Sequence, residues 1–95
     1  MKEETLNGLH IDRFGTKCWY KEDKLHRDDG PAAIWPDGTQ HWYKDDILHR
    51  NDGPAVIWPD GTQNWYKYGK LYAPSAHELM TWKMNERKNI ERTIH

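Results

Sequence analysis

The chain repeats itself. Residues 16–38 read TKCWYKEDKLHRDDGPAAIWPDG and residues 39–61 read TQHWYKDDILHRNDGPAVIWPDG. Set one above the other without a gap, they agree at 17 of 23 positions. A third copy begins as TQNWYK at 62–67, keeps Leu71 in register with Leu25 and Leu48, and then departs. In the other direction, Ile11 and Gly15 fall one period before Ile34 and Gly38. Residues 7–15 therefore read as the worn back half of a leading copy. The 95 residues suit one small domain, 1–95. It is built from a degenerate half repeat (7–15), full repeats at 16–38 and 39–61, a half repeat (62–73) and a different tail. A unit this short cannot bury its apolar side alone, so neighbours must stack, and the outermost copies are expected to be atypical.

Each copy carries strand and turn signals. TKCWYK and TQHWYK are rich in β-formers. Glu22-Asp23, Asp45-Asp46 and Tyr68-Gly69 sit where tight turns belong, and Gly69 best suits the positive φ of a two-residue hairpin. Short strands through Leu25 and Leu48 are followed by HRDDGPA and HRNDGPA, where Gly30-Pro31 and Gly53-Pro54 interrupt pairing and redirect the chain. Strands resume at Ala32–Trp35 and Ala55–Trp58 and end in Trp-Pro-Asp-Gly-Thr turns. The expectation is an antiparallel meander in which successive copies pair side by side. Strand alternation puts Trp19, Trp42 and Trp65 on one face and Tyr20, Tyr43 and Tyr66 on the other. The Trp ladder is expected to be the better buried, with ring-on-ring contacts between copies.

After Tyr72 the pattern changes. Ser75 with Glu78 forms a capping-box signature, and no Gly or Pro follows from Ala76 to about Arg92. A helix over 75–92 is expected, its front half covering the open end of the sheet. Lys83, Arg87, Lys88 and Arg92 could line one basic stripe, which Glu86 and Glu91 interrupt.

Composition narrows the function classes. Six Trp and five Tyr stand beside a single Phe and few aliphatics, so the core must use large amphipathic rings. Charged residues make up 31% of the chain, yet the net charge is −1, so no global field points to nucleic acid or an anionic membrane. No apolar run approaches the length of a membrane span, and MKEETLNG does not read as a signal peptide. The single cysteine, Cys18, excludes an internal disulfide and fits a reducing, cytoplasmic setting.

The unit WYK-x-x-x-LHR-x-DGPA-x-IWPDGTQ resembles a family of small repeat proteins found mainly in bacteriophages and bacteria. Its period, paired short strands and closing Asp-Gly are also similar to MORN repeats. The resemblance covers about residues 7–72. It implies a mainly β fold of tandem hairpins forming a twisted antiparallel sheet, a phage or bacterial origin, and a role in protein contact. Where MORN repeats carry further glycines, this chain has His-Arg and Pro-Ala. The resemblance supplies no catalytic residue.

The residues that could carry chemistry are themselves repeated. His26, Arg27, Asp28 and Asp29 recur as His49, Arg50, Asn51 and Asp52. His with Asp could hold a metal or move protons. Repetition favours the scaffold instead: Arg27 with Asp29 and Arg50 with Asp52 as ion pairs, or Asp caps on loop amides. No partner set for a nucleophile surrounds Cys18. Tyr20, Tyr43 and Tyr66 alternate with Lys21, Lys44 and Lys67, a lattice that could stack nucleobases, but the two full repeats sum to −3 and argue against nucleic acid.

The chain therefore reads as a non-enzymatic protein-binding repeat module, with no catalytic residue, metal or cofactor assigned. Tyr20, Tyr43, Tyr66, Arg27, Arg50 and Arg87 are the candidate partner-binding residues, since Tyr and Arg are enriched at binding hot spots. The expected partner is a host or bacterial protein, such as a defence factor inhibited in the host cytoplasm, with no membrane engaged. Two other classes stay open: a small-ligand, nucleotide or nucleic-acid binder using the aromatic surface, and a self-assembling structural protein. A homodimer burying one aromatic face fits the scarcity of aliphatics.

Overall fold

The computed structural model describes the backbone of residues 5–94 and the side chains as far as Glu86. The chain is mainly β, with ten short strands in antiparallel pairings and one C-terminal helix. Its strands are β1 (Gly8–Ile11), β2 (Lys17–Lys21), β3 (Lys24–Leu25), β4 (Ala33–Ile34) and β5 (Gln40–His41). They continue as β6 (Tyr43–Lys44), β7 (Ile47–Leu48), β8 (Val56–Ile57), β9 (Gln63–Lys67) and β10 (Lys70–Tyr72). The main sheet runs β1-β2-β4-β5-β8-β9-β10, with β3 beside β2, and β6 pairs with β7. Sequence order and spatial order therefore agree, as a meander requires.

Two devices make each copy. The first is the tight hairpin. Glu22 and Asp23, Asp45 and Asp46, and Tyr68 and Gly69 all have positive φ, the geometry of a type I′ turn that matches strand twist. Of these six only Gly69 is free of the Cβ cost of positive φ, and bonds to the neighbouring copy help hold the others there. Those bonds come from the preceding copy. Asp46 N–H donates to Leu25 C=O at 2.9 Å, and Leu25 N–H donates to Asp46 Oδ1 at 2.7 Å. Asp23 makes the same pair of bonds with Leu6, and Gly69 N–H donates to Leu48 C=O at 2.8 Å.

The second device is the HRxDGPA loop, which splits a strand in two. β3 pairs with the far half of β2 (Tyr20↔Leu25), and β4 pairs with its near half (Lys17↔Ile34, Cys18↔Ala33). Between them the loop swings out, and the chain returns through Trp19 N–H to Ala32 C=O at 2.8 Å. Its copy does the same through Trp42 N–H to Ala55 C=O at 2.7 Å. Ala32, Ala33, Ala55, Val56 and Pro54 lie buried where the loops rejoin the sheet. Ala32 there bridges two strands, accepting from Trp19 N–H and donating to His41 C=O.

The Trp ladder is better buried than the Tyr ladder, as expected, but only through Trp65, and the expected ring-on-ring contacts between its copies are not made among the described residues. Only Trp65 is buried, at 4% exposure; Trp19 and Trp42 are half-buried, as are Tyr20, Tyr43 and Tyr66. Among the described residues, no two of the three ladder rings are in contact. The space beside Trp19 and Trp42 is filled by a guanidinium in each case: Arg27 Cζ and Arg50 Cζ each lie 3.8 Å from the ring centroid.

The helix α1 (Ala76–Ile94) starts from the expected capping box. Glu78 N–H donates to Ser75 Oγ at 3.1 Å, and Ser75 N–H donates to Glu78 Oε1 at 3.0 Å. It runs two residues beyond the expected end. Its front half packs on the end strands β9 and β10, through Glu78 on Lys67 and Tyr72 and Trp82 on Trp65, and because it does so on the Trp face it leaves Leu71 on β10 61% exposed. Counting by copies, Ala73 stands where Arg27 and Arg50 stand, so Trp65 has no guanidinium partner. Trp82 packs edge-on against Trp65 in its place, with centroids 6.1 Å apart. No helix among the described residues is long and apolar enough to cross a membrane.

Candidate binding surface

The two faces of the sheet are used differently. On the Trp face the HRxDGPA loops fold back and consume their own polar groups. Arg50 Nε pairs with Asp52 Oδ1 at 3.2 Å, and its Nη1 donates to Pro54 C=O at 3.1 Å. Arg27 makes the same bonds to Asp29 and to Pro31 C=O, at 3.1 and 3.2 Å. The Arg50 side chain is 12% exposed, and burial lowers its pKa from the ordinary value. The two arginines expected at a partner interface are thus placed within the loops, in the ion pairs expected of a scaffold.

The histidines of the loops are also committed. A backbone N–H can only donate, so the ring nitrogen facing it carries the lone pair. His49 Nδ1 accepts from Tyr68 N–H at 3.0 Å, and His26 Nδ1 accepts from Asp45 N–H at 3.2 Å. Asn7 Oδ1 does the same for Glu22 N–H at 2.9 Å. One acceptor after each Leu fixes the first turn residue of the next hairpin. Among the described residues, no group of three or more His, Cys, Asp or Glu could hold a metal ion.

The opposite face gathers rings. Alternation along Gln40–Lys44 sends His41 and Tyr43 to this face and Lys44 to the Trp face. The Tyr–Lys lattice is therefore divided between faces, and Lys44 Nζ lies 3.8 Å from Asp28 Oδ1. His41 is edge-on to Trp35, with centroids 4.5 Å apart, and to Trp58 at 6.1 Å. Its Nδ1 lies 3.3 Å from the Tyr43 hydroxyl. Trp58 Nε1 donates to Asn64 Oδ1 at 2.8 Å. Trp35, His41, Trp58, Asp37 and Thr39 line an open cleft of 260 Å³. Tyr20 lies beside Cys18 and edge-on to His10, with centroids 5.4 Å apart.

The electrostatics of this face favour neutral forms. Burial pushes the His41 pKa down, so the ring is uncharged at neutral pH. Burial also raises the Tyr43 and Tyr20 hydroxyls, with smaller contributions from Asp46. The Cys18 thiol is raised by burial first and by Asp12 second, which keeps it protonated and poorly nucleophilic. The arrangement offers amphipathic rings with hydrogen-bonding edges.

Of the expected contact residues, Tyr43 joins the ring cluster directly, and Tyr20 and Tyr66 continue the same face. The side chain of Arg87 lies outside the described residues. Trp35, His41 and Trp58 were not singled out from the sequence as contact residues. The signal was present, because Trp recurs in both IWPDG segments and strand alternation places it with Tyr43 rather than with Trp42. Comparison with protein-family models, with curated proteins and with solved structures finds no match to this chain.

Proposed function

We propose that the chain is a non-enzymatic protein-binding module of MORN-like tandem hairpin repeats, twisted into one sheet, whose ring face engages a partner protein. The carrying observation is His41 held between Trp35 and Trp58 with Tyr43 alongside, on a face where Trp58 is 42% exposed. Trp and Tyr supply most of the energy at hot spots because they bury large rigid area while keeping a polar edge. The loops on the other face engage Arg27, Arg50, His26 and His49 within the scaffold, whereas the ring face keeps Trp58 at its surface beside His41. The resemblance to phage-type repeats supports a bacterial host protein as the partner, bound and inhibited in the host cytoplasm, a defence protein being one such target.

The test is affinity capture from bacterial lysate with the wild-type chain, Tyr43→Ala, Trp58→Ala and, as a control on the opposite face, Met80→Ala on the exposed side of α1. A defined protein retained by wild type and the control, and lost with the two ring-face variants, supports the reading. Equal retention by all four chains, or no protein above background, overturns it.

A further inference from the structure

The two ends of the sheet are halves of one copy. At each internal junction an Ile sits at the same place. Ile34 in β4 pairs with Lys17 of β2, and Ile57 in β8 pairs with Gln40 of β5, each one full period apart. Ile11 in β1 occupies the next place in that series. Gln63 in β9 occupies the next place in the series Lys17, Gln40. Among the described residues no strand lies beside the outer edge of β1, and none pairs with Gln63 on the side away from β8. The open donor and acceptor groups at one end are thus the counterparts of those at the other.

The backbone directions agree. Asp12 N–H donates to Thr16 C=O at 3.0 Å, as Trp35 N–H donates to Thr39 C=O and Trp58 N–H to Thr62 C=O. Antiparallel pairs alternate between bonded and non-bonded. Ile34 and Ile57 therefore turn their N–H and C=O away from the hairpin they close and toward the preceding strand, and Ile11 turns its own outward. By the same alternation Gln63 turns its N–H and C=O away from β8.

The edge also carries exposed apolar side chains. Leu9 is 47% exposed and Ile11 58%, in a strand that contains no Lys and no Pro to discourage pairing, and Phe14 in the turn that follows is 70% exposed. Leu9 pairs with Trp19, so Leu9 and Ile11 project on the Trp face. At the other end the same face carries α1, whose Leu79, Met80 and Met84 line an open apolar groove. Apolar surface is thus left uncovered on one face at both ends.

We infer that two copies of this chain associate head to tail, with β1 of one pairing alongside β9 of the next, Ile11 opposite Gln63 and His10 opposite Asn64. The contact repeats the internal β4–β2 and β8–β5 junctions and completes a full copy from two halves. It is heterologous, so it propagates beyond a dimer unless the accumulated rotation closes a ring. The ring face stays open in such an assembly, so this inference stands or falls separately from the proposed partner contact.

Sedimentation velocity on the full chain over about a hundredfold range of concentration tests it. The expected result is a mass that rises with concentration beyond the dimer or reaches one closed ring. Ile11→Pro and Gln63→Pro each remove one outward N–H and leave the bonds to β2 and β8 in place. Each alone is expected to be monomeric, and an equimolar mixture is expected to give a 1:1 dimer and nothing larger. Native near-ultraviolet circular dichroism of both variants, with Ile11→Lys as a milder substitution, separates lost pairing from lost folding. A wild-type chain that stays monomeric throughout overturns the inference. So does a Gln63→Pro chain that still dimerises, because that outcome means β1 pairs with β1.

Discussion

Arg50 lies over Trp42, its Cζ 3.8 Å from the ring centroid, and Gly53 approaches the same guanidinium closely. A Cβ at Gly53 would stand 2.6 Å from Arg50 Cζ and 2.9 Å from Trp82 Cδ1, so an added methyl displaces the guanidinium or the indole from this sandwich. Arg27, Trp19 and Gly30 repeat it. Arg50→Lys keeps the charge but loses the planar fork that bonds Asp52 and Pro54 while stacking on the ring. The expected cost is about 1–3 kcal/mol of unfolding free energy, from a desolvated cation–π contact and charge-assisted bonds. Gly53→Ala is expected to cost a similar ~1–3 kcal/mol through overpacking. Urea unfolding followed by Trp fluorescence measures both, and a midpoint unchanged from wild type in either would refute the sandwich as a stabilising unit.

His49 and Asn7 do one job with different chemistry. Each presents a lone pair at the same distance along its side chain to the first amide of the next turn. His49→Asn is therefore expected to keep the bond to Tyr68 N–H. His49→Ala strands a part-buried donor and is expected to cost about 1–3 kcal/mol. The prediction is a ranking: wild type, then Asn, then Ala in thermal stability, with Asn losing less than half of what Ala loses. Equal losses for Asn and Ala would show that ring packing against Tyr68, at 4.4 Å between centroids, outweighs the hydrogen bond.

The relation between Asn7 and His49 also marks how far the sequence could be read. The tandem unit, the hairpin turns, the interrupting Gly-Pro and the capping box were visible because each depends on residues close together in the chain. The Asn7 equivalence was hidden because four residues lie between Leu6 and Ile11, whereas eight lie between Leu25 and Ile34. The leading half copy lacks the swung-out loop, so a fixed-period comparison aligns Ile11 correctly and misses Leu6 and Asn7. The Arg–Trp stack was missed for another reason. The chain first leaves Trp42 and returns through the loop, and no local rule says which way a loop folds. Aromatic content drew attention to ring-on-ring contact, while the paired cation lay eight residues further on in each copy. Trp35 and Trp58 of the ring face were present in the repeat, but their exposure follows from where the loops pack, and that is a tertiary fact.

The helix cap carries a pH dependence of definite sign. The Ser75 backbone N–H bond, followed by the Ser75 hydroxyl and Lys67, holds the Glu78 carboxyl below its ordinary pKa. A depressed folded-state value means the contribution is complete above the unfolded pKa of about 4.3 and is lost as pH falls through the folded value. Acidification below about pH 4 is therefore expected to loosen α1 from the sheet before neutral or alkaline pH does so. Because Trp82 rests on Trp65, the near-ultraviolet Trp signal reports this step. In Glu78→Gln the side chain can still accept from Ser75 but no longer titrates, so that acid transition is expected to shrink. An identical acid transition in the variant would assign it to other groups, of which Asp37 and Asp60 are also held low by the Thr39 and Thr62 bonds.

Trp58 and Arg50 make opposite predictions for binding and stability. Trp58 is 42% exposed and its anchors are one indole bond to Asn64 and the edge of His41, so truncation opens no enclosed cavity. Trp58→Ala is expected to cost about 1 kcal/mol or less in folding, in line with other partly exposed sites. If the ring face is the contact surface, the same change removes a central anchor, and the expected loss of partner affinity is about thirtyfold or more, ~2 kcal/mol. Arg50→Lys is expected to behave in reverse, with reduced stability and unchanged affinity per folded molecule, because its charge is spent inside the loop. Titration calorimetry against the captured partner, with the folded fraction set from the unfolding curves, separates the two. An Arg50→Lys chain that weakens binding as much as Trp58→Ala would move the contact surface to the loop face.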